Sequence, residues 1–170
     1  MISRTLFALF ILLSTLAYAG EHRLLLTGLS LHEHAHNQFG ERYNAYNVGI
    51  GYEKNWFETY SRWYFTTNAM LFNDSFENPQ LTVGFGHAKR FAFSTADVAI
   101  GLAGFVGVKK LYESDDHTGE SGKYGLMGGL APVIVLYRRD WSLNLVYVPS
   151  VKVRDYDLTG FAFAYLGWRF

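Results

Sequence analysis

Three histidines alternate with other residues in the stretch His32-Glu-His34-Ala-His36, so on a β-strand all three project from one face. Neutral imidazoles can act as bases or bind zinc or copper. A metal site, however, also needs geometric closure and supporting partners that one strand cannot supply, so no metal is expected and a solvated rim cluster is the plainer reading. Further along, Asn73-Asp74-Ser75-Phe76 makes a short polar turn between apolar stretches. Asp-Ser is an ordinary turn dipeptide. The same serine becomes a nucleophile if a histidine on a neighbouring loop takes its proton.

The elements that carry these groups read as strands. After residue 20 no helix-period segment of convincing length occurs, whereas two-residue alternation recurs in stretches of roughly ten residues, the length with which a tilted strand crosses a bilayer. The stretches are Arg23 to His34, Arg42 to Glu53, Trp56 to Phe72, Pro79 to Phe91, Asp97 to Tyr112, Lys123 to Arg138, Trp141 to Val151 and Thr159 to Phe170. Short links near Lys54-Asn55, Ser94-Thr95 and Arg139-Asp140 alternate with longer polar ones around 36–41, 73–78, 113–122 and 152–158. Short periplasmic turns and long outer loops are the asymmetry of outer-membrane barrels. The expected fold is therefore all-β, an eight-stranded antiparallel transmembrane barrel.

Composition agrees. Met1 to Arg4, the apolar run Leu6 to Leu16 and the small-residue pattern Ala17-Tyr-Ala19 read as a signal peptide over 1–19, with the barrel domain over 20–170. Aromatic residues make up 18% of the chain, which suits two interfacial girdles, and a last strand ending Trp168-Arg-Phe170 resembles the C-terminal strand of outer-membrane proteins. Lysine plus arginine balances aspartate plus glutamate at 15 each, which leaves no basic face for nucleic acid, and the absence of cysteine excludes a disulfide scaffold.

An eight-stranded barrel is either filled by side chains or holds one small ligand. If Val48, Ile50 and Tyr52 face lipid, then Asn47, Gly49 and Gly51 face inward. By the same alternation Thr82, Gly84 and Gly86, and Ala99, Gly101 and Ala103, face in, while the final strand offers Phe161, Phe163 and Tyr165. Either the glycines relieve strand bending, or together they shape a narrow apolar slot. Pro132 and Pro149 fall in neighbouring predicted strands and cannot donate to a ladder, which marks either a lateral opening or a strand end.

The sequence resembles the PagP family, outer-membrane enzymes that move a palmitoyl chain from a glycerophospholipid to lipid A. The matching residues are Leu31-His32, Arg42-Tyr43-Asn44, Phe72-Asn-Asp74-Ser75, Gly84-Phe-Gly86, Leu130-Ala-Pro132, Tyr147-Val-Pro149 and Trp168-Arg-Phe170. The resemblance implies catalysis by His32, Asp74 and Ser75, with His32 as base toward a lipid A hydroxyl, Ser75 polarising or attacking the donor ester, and Asp74 orienting the histidine. It also implies an acyl slot whose depth Gly86 limits, lateral entry between Pro132 and Pro149, no cofactor, and a monomer whose partners are the phospholipid donor, lipid A and membrane lipids. The amphipathic helix that precedes the first strand in that family has no counterpart here, and Thr27 and Asn47 stand where prolines are expected in the first two strands. Two other functions fit the same slot: a non-enzymatic barrel binding a hydrophobic ligand, and a lipid A deacylase or phospholipase that passes the acyl group to water.

Overall fold

The computed structural model describes residues 20–37, 39–58, 61–112, 122–153 and 156–170. The expected signal peptide, 1–19, and residues 113–121 of the third long link lie outside these residues.

Alternation produces what it predicts. Eight strands, β1 (Glu21–His32), β2 (Tyr46–Phe57), β3 (Trp63–Asn73), β4 (Pro79–Ala92), β5 (Asp97–Leu111), β6 (Lys123–Arg138), β7 (Trp141–Val148) and β10 (Phe161–Arg169), form a closed antiparallel barrel. β1 pairs with both β2 and β10, so no edge remains. Two short strands, β8 (Val151–Val153) and β9 (Tyr156–Leu158), make a hairpin within the last long loop. Outward side chains such as Ile50, Val83, Ile100, Ile134 and Leu145 form an exposed apolar belt, with Trp63, Trp141 and Trp168 toward the short-turn end and Tyr46, Tyr124 and Tyr147 toward the long-loop end. Such a surface is stable only against lipid.

Several boundaries differ from the sequence reading: β1 ends at His32 rather than His34, and β2 begins at Tyr46 rather than Arg42. Lys54-Asn55 is not a turn but part of β2, with both residues buried, and the link to β3 is 58–62. Lys54 stacks over Trp56, and Asn55 points into a polar interior, where its Nδ2 donates to Glu53. Pro149 is not in a strand, because β7 ends at Val148.

The interior has two halves. At the short-turn end Arg23 pairs with Glu21 (2.6 Å) and Arg90 with Asp97 (2.8 Å), and both guanidinium groups lie over the Tyr137 ring. Tyr64 and Tyr137 share a buried hydroxyl–hydroxyl bond of 2.8 Å. Tyr64→Phe leaves the Tyr137 hydroxyl unpaired, so we expect a stability loss of about 1–2 kcal/mol, read as a lower urea midpoint with an unchanged slope. An unmoved midpoint would mean that water replaces the lost partner.

The other half is apolar, walled by Met70, Phe72, Phe163 and Tyr165 with Val146 against them. The inward positions expected on β2, β4 and β5 are those found: Asn47, Thr82, Gly84 and Ala99 are buried, whereas Val48, Val83 and Ile100 are exposed.

Candidate active site

Strict alternation along β1 would not bring His32 into the barrel. Arg23, Leu25 and Thr27 face inward, so Leu29 and Leu31 should follow. The register shifts between Thr27 and Leu29 against both neighbouring strands, Gly28 being an extra, bulged residue against β10 and standing opposite two residues, Asn47 and Val48, of β2. Beyond it the facing reverses: Leu29 and Leu31 are exposed, Ser30 is buried, and His32 points to the mouth of the barrel.

There His32 Nε2 lies 2.7 Å from Ser75 Oγ. Ser75 Oγ also lies 3.1 Å from Ser30 Oγ and accepts a bond from Asn47 Nδ2 at 3.3 Å. Asn47 is fixed in turn, donating to the Asn73 carbonyl at 3.0 Å, while its own carbonyl accepts from Thr27. The imidazole is clamped by Tyr43, stacked at 3.9 Å between centroids, and by Phe161 at 5.4 Å. Tyr43 donates to Thr159 Oγ1 at 3.2 Å, so three loops hold one ring in place.

Asp74 is buried but does not bond the histidine. His32 Nδ1 has no hydrogen-bond partner among the described residues. Instead, Asp74 Oδ1 accepts the backbone amides of Phe76 (3.0 Å) and Asn78 (2.9 Å), closing the turn that presents Ser75. The turn also needs a left-handed residue, Glu77 at φ 63°. Oδ2 of Asp74 faces Lys109 Nζ at 3.3 Å. The sequence thus named His32, Asp74 and Ser75, which do meet at one rim. It missed Ser30, Tyr43 and Lys109 as neighbours, and the bulge that admits Ser30 has no signal beyond one glycine.

Two cavities join at this point. The larger, about 420 Å³, is a vestibule lined by His34, His36, Lys110, Gly129 and Pro149 among others. The smaller, about 110 Å³, is an apolar slot running inward past Met70, Phe163 and Gly84. On β4 its wall ends at Gly84. A Cβ there would lie 2.5 Å from Asn68 Oδ1, and Gly86, one inward step deeper, lies against Thr66. His34 and His36 belong to the vestibule, and no group of three or more metal-ligating side chains occurs among the described residues.

The ladder between β6 and β7 runs from Arg138↔Trp141 to Val133↔Val146 and stops. The next residue of β6, Pro132, has no amide hydrogen, and Pro149 follows the end of β7. Above that point the vestibule meets the outer face of the barrel beside Leu130 and Pro149. Across the neighbouring strands, the Tyr147 hydroxyl donates to Glu33 in the first loop and holds that carboxyl below the usual carboxylate range.

A family model described as "Antimicrobial peptide resistance and lipid A acylation protein PagP" matches residues 13–162. No curated protein matches the chain. Among solved structures, the Yersinia pestis outer membrane protein Ail in a phospholipid bilayer nanodisc is 14% identical, with 89% of this chain and 100% of that one covered and a TM-score of 0.42. A crystal structure of Ail, the attachment invasion locus protein of the same organism, in complex with the heparin analogue sucrose octasulfate is 13% identical, covering 89% and 99%, with a TM-score of 0.41.

Proposed function

Because the chain belongs to the PagP family, which acts in lipid A acylation in the bacterial outer membrane, we propose that it transfers a palmitoyl or similar acyl chain from a glycerophospholipid to lipid A. The observation that carries this reading is the 2.7 Å contact between His32 Nε2 and Ser75 Oγ at the junction of an apolar slot and a vestibule that carries histidines and lysines. A base and a hydroxyl within hydrogen-bond reach are the minimum for activating a nucleophile.

In this reading the donor's acyl chain lies in the slot and its head group in the vestibule. Ser75 Oγ attacks the ester carbonyl carbon while its proton passes to His32 Nε2. The glycerol oxygen leaves with that proton as a lysophospholipid. A lipid A hydroxyl then attacks the acyl-serine, its proton moving to His32 and back to Ser75 Oγ. Asp74 positions Ser75 through the turn it closes, rather than by orienting the imidazole. The parted ends of β6 and β7, flanked by Pro132 and Pro149, serve as the entry for the chain. Unpaired backbone in lipid costs several kcal/mol, and here it faces a cavity the protein uses. Gly84, where the slot's wall ends on β4, sets how deep the chain reaches.

The test is a mass spectrum of lipid A from a strain without its own palmitoyltransferase, expressing this chain or its Ser75→Ala form. One added acyl chain is expected with the unmodified protein and none with the variant. Release of fatty acid without heavier lipid A, from a folded barrel, would replace transfer by hydrolysis, and acylation by Ser75→Ala would remove Ser75 from the chemistry.

A further inference from the structure

Resting on the acyl-transfer reading, we infer that Lys109 is a further catalytic residue, whose ammonium holds the oxyanion formed on the donor's ester carbonyl. A phospholipid with its head group in the vestibule and its chain in the slot must place the ester where the cavities meet. Six residues line both: His32, Phe76, Phe105, Lys109, Val148 and Phe161. Four of these are apolar. His32 is engaged by Ser75, which leaves Lys109 as the polar group at the junction that can meet a developing negative charge.

The ammonium is held for that task. Its side chain is 16% exposed and Asp74 3%, with 3.3 Å between Nζ and Oδ2. Asp74 Oδ1 is bound by two backbone amides, so the carboxylate cannot swing away and take the lysine with it. The ammonium also lies 5.7 Å from the centre of the Phe76 ring, in the turn that carries Ser75. A lysine has three donors, and its contact with Asp74 is an ion pair in which Oδ2 takes no hydrogen bond, so donors remain for a carbonyl oxygen. When Ser75 Oγ bonds to the carbonyl carbon, the carbonyl π pair moves onto its oxygen, and Lys109 meets that charge. Collapse returns the pair and expels the glycerol oxygen, protonated from His32. A fixed cation aimed at charge that exists only in the transition state raises turnover rather than affinity. This also gives the buried Asp74 a role as the anchor of Lys109.

The test uses the refolded full chain in detergent, with lipid A as acceptor and, as donor, the phosphatidylglycerol whose acyl length the unmodified protein transfers fastest. Lys109→Met is expected to lower kcat about 100-fold or more, the loss typical of removing one oxyanion donor, with the donor KM changed by no more than about threefold. Lys109→Arg, which keeps the charge, is expected to recover most of it. A Lys109→Met protein with normal kcat, or with a defect confined to KM, overturns the assignment. Failure of Lys109→Arg to recover beyond Lys109→Met also overturns it, because a group that only spaces the Ser75 turn would not respond to charge. If Ser75→Ala is inactive while Lys109→Met is not, the transfer reading stands and this one falls. If the unmodified, folded protein transfers nothing, both fall.

Discussion

Replacing His32 by alanine is expected to lower acyl transfer by about 10³-fold or more while the barrel still folds. The estimate follows from what the imidazole does in the arrangement described. Nε2 is the only base within hydrogen-bond reach of Ser75 Oγ among the described contacts, and a positioned general base contributes roughly 10²–10⁴-fold. Without it a serine hydroxyl must lose its proton to water. The loss should fall on kcat, since the ring, held between Tyr43 and Phe161, forms only one part of the wall the two cavities share, and the donor KM should change little. The variant must still show the heat-dependent gel mobility of a closed barrel. Because the Gly28 bulge fixes the facing of the upper strand, losing the ring does not undo the strand. A variant retaining a tenth of the activity would exclude His32 as the base, and would point to a water-mediated proton path through Ser30.

The second large effect concerns the slot. Gly84→Leu is expected to abolish transfer of palmitoyl chains, by about 100-fold or more, while shorter chains are still transferred. At Gly84 even a Cβ would lie 2.5 Å from Asn68 Oδ1, so a leucine must occupy the slot itself. An overfilled interior yields by pushing side chains off their rotamers, at a cost of about 1–3 kcal/mol, and the chain's terminal methylenes are the easier thing to exclude. Gly86→Leu meets Thr66 one step deeper and should shorten the accepted chain less, or not at all. Offering phosphatidylglycerols of graded acyl length and reading the products by mass decides the matter. If Gly86→Leu shifts the chain length and Gly84→Leu does not, the floor lies at Gly86, as the family resemblance implies.

The barrel was legible because period two is a strong signal when one face meets lipid and the other meets small or polar side chains: Leu81, Val83 and Phe85 against Thr82, Gly84 and Gly86 need no further information. Where the sequence misled, the reason is local. Lys54-Asn55 has turn chemistry, yet at the short-turn end the interior is charged, so polar residues continue a strand instead of ending it. At the site, His32 and Ser75 could be named as partners on one rim, but the backbone that brings them into contact could not be read. Their contact depends on a break in the alternation of β1 at Gly28, and a lone glycine in a strand looks the same whether it bulges or not. Asp74 was expected beside the imidazole and instead serves its own turn and Lys109, since an Asp at a turn start satisfies nearby amides before any distant ring. Lys109 carries no motif at all. It reaches Asp74 because β5 pairs with β4 through Leu81↔Val108, beside the turn from β3 to β4 that carries Asp74.

The buried charges of the short-turn half bear on assembly. Arg23 and Glu21 come from β1, Arg90 from β4, Asp97 from β5 and Tyr137 from β6, so this group spans strands made early and late in the chain. A half-formed sheet inserted in the bilayer would keep the Arg23–Glu21 and Arg90–Asp97 pairs but lack the Arg90–Glu21 and Arg169–Glu21 contacts and the Tyr137 ring that both guanidinium groups share, and incompletely compensated ions in hydrocarbon cost more than fully compensated ones. Intermediates of that kind are therefore poorly populated. Closing the seam between β1 and β10 and satisfying the ion group become one event, and the protein should enter the membrane as an all-or-none unit rather than strand by strand.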